Sequence, residues 1–209
     1  ELRTPLTVVQ GNLDLMPEDA EGRAATTRVI QDELSRMTRI VEDLLTLARA
    51  DRPDFLVTGP AEVSDLILDI EAKVDVLADR DWNVLPYAEG VAQLDTHRIT
   101  QALMQFCSNA VRFTRPGDRI EIGCRILEPG EPTIPEQATE GPPPAVDEQE
   151  IRRRRLLWWV RDRGAGIPPG EEESIFERFH TARGPLRDGR GGTGLGLAIV
   201  SSIARAHGG

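Results

Sequence analysis

Two apolar stripes with heptad spacing, both within residues 1–50, constrain the fold of this chain more than any other feature of its sequence. The first stripe has 4-3-4-3 spacing and the second has 4-3-4-3-4 spacing, so each follows one side of an α-helix. The stripe residues are Leu2, Leu6, Val9, Leu13 and Met16, then Ile30, Leu34, Met37, Val41, Leu44 and Ala48. Residues 17–22, PEDAEG, predict the turn between the helices. Because two helices cannot bury two such seams alone, we expect a homodimer in which two hairpins form a four-helix bundle.

The two predicted helices differ in length. The second spans about 25 residues, or roughly 38 Å, and the first about 16 residues, or roughly 24 Å. Because an antiparallel hairpin should have matched arms, we expect about nine further residues of the first helix to precede Glu1 in a longer protein. Pro5 would then lie inside that helix and kink it.

The overall composition excludes some functions. Of the 209 residues, 39% are hydrophobic and 29% are charged, and the formal net charge is -10. This charge argues against nucleic-acid binding, which needs an excess of Lys and Arg to neutralise phosphates. No apolar run reaches the length of a membrane span. Cys107 and Cys124 lack metal-ligand spacing and are predicted to be reduced, small hydrophobic residues.

The rest of the chain, residues 53–209, predicts an α/β domain that follows a linker at residues 52–54. Helical patterns cover residues 63–77 and 100–113, and strand patterns cover residues 119–127 and 156–160. Residues 128–150 are rich in Pro, Glu, Gly and Gln and predict a disordered insertion between two strands. A final helix follows a glycine-rich loop and runs to about residue 206. Composition and spacing therefore predict a helical hairpin in residues 1–52 and an α/β domain with a loop suited to phosphate.

The opening residues, ELRTPLT, resemble the H box of histidine kinases, in which the phosphoacceptor His directly precedes the Glu found here as Glu1. A carboxylate beside an imidazole can hold its tautomer and accept its proton, so the resemblance implies a catalytic role for Glu1. Thr4 lies one helical turn beyond the position of that His and matches the family's phosphatase motif, in which a hydroxyl orients a water against an aspartyl phosphate. Taken alone, these residues also fit an ordinary surface Glu and a helix-start Thr. Lacking the His itself, the chain is expected to bind nucleotide without autophosphorylating.

Residues 105–114, QFCSNAVRFT, resemble the N box of the same family. The resemblance implies that Asn109 and Gln105 offer amide oxygens to Mg²⁺, a hard ion that prefers oxygen ligands. It also places Arg112 and Phe113 at the ATP. The family usually has Asn where Gln105 stands and often Lys where Arg112 stands, but Gln keeps an amide oxygen and Arg keeps the charge. The alternative for Asn109 is a polar residue on an exposed helix face.

Residues 162–167, DRGAGI, resemble the G1 box. Asp162 would accept a hydrogen bond from the exocyclic amine of adenine, and Gly164 and Gly166 would let the base approach the backbone. Residues 175–179, IFERF, resemble the F box, whose aromatic side chains are expected to anchor the loop rather than touch substrate.

Residues 192–200, GTGLGLAIV, resemble the G2 box. A glycine-rich turn at a helix start presents free backbone N–H groups and the positive end of the helix dipole, which suits a triphosphate. The residues that the resemblance assigns to ATP here are Gly192, Thr193, Gly194, Leu195 and Gly196. His97, His180 and His207 are expected to be structural or solvent-facing. His207 resembles the family's helix-end turn, after which two more strands normally follow.

The order of these boxes resembles that of the sensor histidine kinases of two-component systems. The resemblance implies a dimeric phosphotransfer hairpin followed by a two-layer α/β sandwich of the gyrase, Hsp90 and MutL ATPase type. ATP and Mg²⁺ would be the cofactors, and the γ-phosphoryl group would pass to the His and then to an Asp of a response-regulator receiver domain. Sensor and membrane segments would lie upstream, so this chain would be the cytoplasmic portion of a membrane-anchored bacterial sensor.

Two alternatives remain open at this level. One is a degenerate kinase that binds nucleotide and only scaffolds a partner, which the departures at Gln105 and Arg112 motivate. The other is a chaperone or topoisomerase part with the same ATPase fold. The helical hairpin with its ELRTP segment speaks against the second alternative.

Overall fold

The computed structural model describes residues 3–85, 89–127, 155–180 and 192–209. The predicted insertion at residues 128–150 lies outside these described residues. The chain divides into two compact units, one formed by Glu1–Leu56 with Ile167–Gly209 and the other by Val57–Gly166. Within the described residues, every helix is too short or too polar to cross a membrane.

The helices and strands have the following bounds in chain order: α1 Arg3–Asp14, α2 Ala20–Arg49, β1 Gly59–Glu62, α3 Val63–Asp75, β2 Asp81–Val84, β3 Val91–Leu94, α4 Thr96–Phe113, β4 Arg119–Leu127, β5 Arg155–Arg161 and α5 Gly196–Ala206. The predicted strand at residues 119–127 is confirmed, and β5 extends one residue beyond the predicted strand at each end. The three short strands β1, β2 and β3 had no individual sequence prediction.

The first unit contains a helical hairpin in which α1 contacts α2. The predicted turn at residues 17–22 is shorter in the structure because Asp19 caps α2: its Oδ1 accepts a hydrogen bond from the Gly22 N–H at 2.7 Å. An acidic N-cap satisfies a free N–H and interacts favourably with the helix dipole, so α2 begins at Ala20 and reaches 30 residues.

The heptad seam of α2 is only partly covered within one chain. Leu34 and Val41 are 48% and 43% exposed, whereas Ile40 and Leu47 on a neighbouring stripe are each only 2% exposed. The buried stripe lies on a helix that contacts both α1 and α5 inside this unit. The packing of a single chain therefore leaves much of the predicted seam in solvent.

The second unit is a two-layer arrangement of helices on a sheet. Strand β2 pairs parallel to β4, β4 pairs antiparallel to β5, and β1 and β3 form a separate antiparallel pair. Alternate side chains of the three-stranded sheet pack against α3 and α4, and the buried cluster comprises Ile70, Val74, Leu103, Cys107 and Ile122, with Trp82, Trp158 and Val160 beside it. Period-two alternation on β4 thus places one strand face in the core.

Helix α4 starts four residues before the predicted helix at residues 100–113, because Asp95 caps it. The buried Asp95 carboxylate accepts hydrogen bonds from the N–H of Arg98 at 3.0 Å and from the N–H of Val57 at 2.8 Å. One acidic side chain therefore starts the helix and also anchors the segment before β1.

Both cysteines are buried, and neither is in a disulfide bond. Burial raises the pKa of the Cys107 thiol to about 12, because an apolar environment disfavours the thiolate. The structure thus agrees with their predicted character as small hydrophobic residues.

Candidate functional site

In the second unit, the turn after β5 lies against the carboxyl end of α4. The Asp162 Oδ1 accepts a hydrogen bond from the Gly164 N–H at 2.7 Å. A Cβ at Gly164 would lie 2.7 Å from the Phe113 carbonyl oxygen, so only glycine fits this approach. Gly166 has φ of 75°, a left-handed conformation that glycine adopts without strain. The fold therefore brings together two predicted motifs that are about fifty residues apart in the chain.

Asp162 is exposed, and only one of its two carboxylate oxygens takes part in that hydrogen bond. The second oxygen is available to a donor such as an exocyclic amine.

Gln105 and Asn109 lie one turn apart on α4, on the same side of the helix, and both are half-buried. The Asn109 amide makes no hydrogen bond to any residue that the structure describes. The described residues contain no group of three His, Cys, Asp or Glu side chains that could hold a metal ion. Amide oxygens fit Mg²⁺, which commonly completes its octahedral coordination with waters and phosphate oxygens, so the pair suits a magnesium ion carried by a nucleotide.

Arg112 and Phe113 end the same helix. The Arg112 guanidinium carbon lies 5.2 Å from the centre of the Phe113 ring, within the range of a cation–π contact. The Phe113 ring is 38% exposed. The last turn of α4, whose backbone meets the Asp162 turn at Phe113, thus carries a cation and a flat apolar face.

In the first unit, the predicted F-box and G2-box segments are joined through their backbones. The Phe179 N–H donates to the Gly194 carbonyl oxygen at 2.8 Å, and Phe179 itself has φ of 65°. A Cβ at Gly194 would lie 2.6 Å from the Phe179 carbonyl carbon and 2.7 Å from the His180 oxygen. The Phe179 ring is half-exposed, and the hydrogen bond between the two segments comes from the main chain, so the anchoring role of the aromatic side chains stays a prediction.

The glycine-rich turn leads into the N-terminus of α5. The Thr193 Oγ1 accepts a hydrogen bond from the Leu195 N–H at 3.2 Å, and the Leu195 side chain is fully buried. A contact from Leu195 to a ligand would therefore have to come from its backbone. Gly192 and Gly196 are half-buried on either side of it. The N-cap residue Leu195 makes no side-chain capping hydrogen bond, so within the described residues the leading N–H groups of α5 are open to an anion.

The proposed H box is described only in part. Glu1 lies outside the described residues, whereas Thr4 is exposed near the start of α1. Pro5 is buried at the third position of the described helix.

Two contacts near these motifs were missed by the sequence reasoning. The His180 Nε2 lies 3.2 Å from the Glu171 Oε2, which ties the two ends of the F-box loop together. Arg80 contacts the carboxyl end of α4, although it lies outside every motif. Neither contact has a sequence signal, because each depends on chain segments that meet only in the folded state. His207 has its Nδ1 2.9 Å from the Ile203 carbonyl at the end of α5, in agreement with a structural role.

The family comparisons agree with this geometry. Residues 94–209 match the family described as histidine kinase-, DNA gyrase B-, and HSP90-like ATPase, so the chain belongs to that family of ATPases. Residues 1–53 match the His Kinase A (phospho-acceptor) domain. Together the two matches place the chain among the sensor histidine kinases.

The sequence relatives carry the same designation. The chain is 34% identical to the Mycobacterium tuberculosis protein "Probable sensor histidine kinase TcrY" across all of this chain and 40% of TcrY. It is 31% identical to the sensor histidine kinase WalK of Bacillus subtilis across all of this chain and 32% of WalK. The chain thus spans two fifths or less of the length of these curated relatives.

Solved histidine kinases share the fold. Full-length ShkA in complex with AMPPNP is 26% identical, with a TM-score of 0.61 over 99% of this chain and 39% of ShkA. The histidine kinase ThkA in complex with the response regulator TrrA is 22% identical, with a TM-score of 0.59 over 88% of this chain and 49% of that chain. The predicted order, a helical region followed by an α/β ATPase domain, is confirmed.

Proposed function

We propose that this chain is the kinase portion of a sensor histidine kinase. It would transfer the ATP γ-phosphoryl group to a His directly before Glu1 and then to an Asp of a response regulator. The observation that carries the proposal is the packing of the Asp162–Gly164 turn on the end of α4, since it joins an adenine acceptor to a magnesium-suited helix face. None of the relatives and structures named above supports a scaffold without kinase activity.

The nucleotide residues would act as follows. Asp162 accepts a hydrogen bond from the adenine amine, while Gly164 and Gly166 keep Cβ atoms away from the base. Asn109 and Gln105 hold Mg²⁺, which when bound would neutralise phosphate charge. Arg112 and Phe113 add a cation and a flat face beside the nucleotide.

The glycine-rich turn would hold the phosphates. The backbone N–H groups at the start of α5, in the segment of Gly192, Thr193, Gly194, Leu195 and Gly196, favour an anion. The Gly194 contact with the F-box backbone supports this assignment, because it holds the turn in one conformation without a side chain in the way. Positioning and electrostatics supply most of the catalysis in phosphoryl transfer of this kind.

The phosphotransfer part would be residues 1–52, with residues 53–209 as the catalytic domain. A second copy of the chain would cover the exposed seam of α2 and complete a four-helix bundle. Apolar seam residues such as Leu34 and Val41, exposed in one chain, support this dimer.

The receiver domain of a response regulator would dock near Thr4, whose exposed hydroxyl can orient a water for dephosphorylation. The ThkA–TrrA complex supports a regulator as partner. The longer protein would be anchored in a bacterial membrane with this portion on the cytoplasmic side, and the designation of the relatives as sensors supports a further sensing part.

Binding of Mg²⁺–AMPPNP, measured by calorimetry, tests the nucleotide half of the proposal. Asp162→Asn should weaken binding by roughly 10- to 100-fold, since an amide can turn a donor toward the adenine amine. The matched control is Asp75→Asn, which changes an exposed carboxylate at the end of α3 and should leave binding unchanged. Equal affinity of the two variants would refute the assignment of Asp162.

The phosphotransfer half is tested on a longer protein that includes the residue before Glu1. Incubation with γ-labelled ATP should give a label that is stable to base and labile to acid, which is typical of phosphohistidine. A base-labile, acid-stable label, or none at all, would contradict the proposed reaction.

A further inference from the structure

The last turn of α4 is held by Arg80, a residue outside every motif. A helix ends with carbonyl groups that have no partner inside the helix. The Arg80 Nη2 donates to the Val111 carbonyl at 3.0 Å and to the Thr114 carbonyl at 3.1 Å, and its Nε donates to the Thr114 Oγ1 at 2.9 Å. The Thr114 hydroxyl in turn donates to the Ala110 carbonyl at 2.7 Å. One guanidinium therefore closes the end of this helix and also places its positive charge at the negative end of the helix dipole.

Hydrogen bonds also hold Arg80 and its neighbouring main chain in place. Its Nη1 donates to the carbonyl of Asp79 at 2.7 Å. The Gly117 N–H donates to the same carbonyl at 3.2 Å, and the Asp81 N–H donates to the Asp118 carbonyl at 3.0 Å. Backbone hydrogen bonds on both sides of Arg80 thus fix its main chain, and the half-buried side chain reaches α4 from a rigid base.

The turn that Arg80 holds is the surface on which Gly164 rests. Phe113 lies between Val111 and Thr114, and its carbonyl oxygen is the atom that a Cβ at Gly164 would meet at 2.7 Å. Because the two backbones approach this closely, a displacement of the helix end would change the position of the Asp162 turn. Arg80 lies on the α3–β2 connection, and none of its hydrogen bonds to described residues goes to Asp162.

We propose that Arg80 is a positioning residue for nucleotide binding, one that fixes the end of α4 so that Asp162 stands at the right distance from Asn109, Arg112 and Phe113. The proposal rests on the nucleotide function proposed above. It assigns Arg80 no contact with the nucleotide and no role in the chemical step.

The test compares three variants of the whole chain by calorimetry with Mg²⁺–AMPPNP, together with their melting temperatures. Arg80→Gln should raise the dissociation constant about tenfold, because it removes the charged donors that hold three acceptors. Arg80→Lys keeps the charge but loses the planar fork, so it should recover part of that loss. Arg115→Gln removes the same charge from an exposed side chain next to Thr114 and should leave the constant within about twofold of the wild type.

A kinetic measurement separates positioning from general destabilisation. In the longer kinase, Arg80→Gln should raise KM for ATP and leave kcat unchanged. A purely structural role would lower the melting temperature and leave the affinity of the folded protein unchanged, and that result would overturn the proposal. If Arg80→Gln fails to fold, Thr114→Val removes the hydrogen bond from the Arg80 Nε and the hydrogen bond to the Ala110 carbonyl, and an unchanged affinity in that variant would overturn the proposal equally. If the wild-type chain binds no nucleotide, the proposed function itself is wrong and the role of Arg80 falls with it.

Discussion

Replacing Gly164 by alanine would place a Cβ 2.7 Å from the Phe113 carbonyl oxygen and 2.8 Å from the Asp162 Oδ1. Real Cβ atoms essentially never approach another heavy atom to less than 3.0 Å, so a neighbour must move. The nearer one is a backbone atom of α4 that cannot rotate away. The other is the carboxylate that accepts the Gly164 N–H, and its movement would break the 2.7 Å hydrogen bond.

The magnitude follows from these two contacts. Overpacking against a rigid backbone costs about 1–3 kcal/mol of the free energy of unfolding. Loss of the charge-assisted hydrogen bond would add to this cost if the turn moves rather than the helix. Because the displaced turn carries Asp162, we expect Gly164→Ala to weaken Mg²⁺–AMPPNP binding at least about tenfold, even at temperatures where the variant is folded.

The assay combines urea denaturation with calorimetric titration. Gly59→Ala is the matched control, because a Cβ at Gly59 in β1 meets nothing within 4 Å and should change neither quantity. Gly166→Ala separates strain from collision: its Cβ also meets nothing, but its φ of 75° should cost about 1 kcal/mol. If Gly164→Ala matched Gly59→Ala in both stability and affinity, the close packing of the turn on α4 would have no energetic consequence and the reasoning would fail.

Three further predictions concern other parts of the chain. Asp95→Ala removes a buried helix cap that accepts hydrogen bonds from two backbone N–H groups, so urea denaturation should show that the free energy of unfolding falls by about 1–3 kcal/mol. A smaller decrease would mean that water replaces the cap. Leu34→Glu should convert the proposed dimer to monomers, as measured by sedimentation, whereas Ser35→Glu at the neighbouring exposed position should not. If both variants remained dimeric, the dimer would pack through a different face. In a longer kinase, Thr4→Ala should slow dephosphorylation of the regulator and spare autophosphorylation, while Glu1→Ala should slow phosphoryl transfer by about 10² to 10⁴-fold. If Thr4→Ala lowered the kinase rate and the phosphatase rate equally, Thr4 would only shape the helix.

Much of the architecture is encoded in short stretches of sequence. Heptad spacing is a property of neighbouring turns, so it predicts the hairpin of α1 and α2 before any contact between them is known. Period-two alternation likewise predicts β4 at the residues where it lies. The order of the motifs is a one-dimensional property too, and it was enough to indicate a histidine kinase.

The local sequence patterns did not predict where α4 begins or which face of α2 is buried. Helix α4 starts at Thr96 because Asp95 has two backbone partners, one of them 38 residues away at Val57. On α2, Ile40 is buried while the seam residue Val41 is exposed, because packing within one unit, and not periodicity alone, selects the face that a single chain covers.

The tertiary structure alone decided how the candidate site is built. The glycine pattern of residues 162–167 indicates a turn, but only the approach of Gly164 to the Phe113 carbonyl explains why a side chain is excluded there. Arg80 has no local pattern at all, since its hydrogen bonds reach residues 31 and 34 positions further along the chain. The physical reason is the same in both cases: periodicity and turn propensity act over a few residues, whereas close backbone approaches and helix-end hydrogen bonds depend on distant segments that meet only when the sheet and its helices have packed.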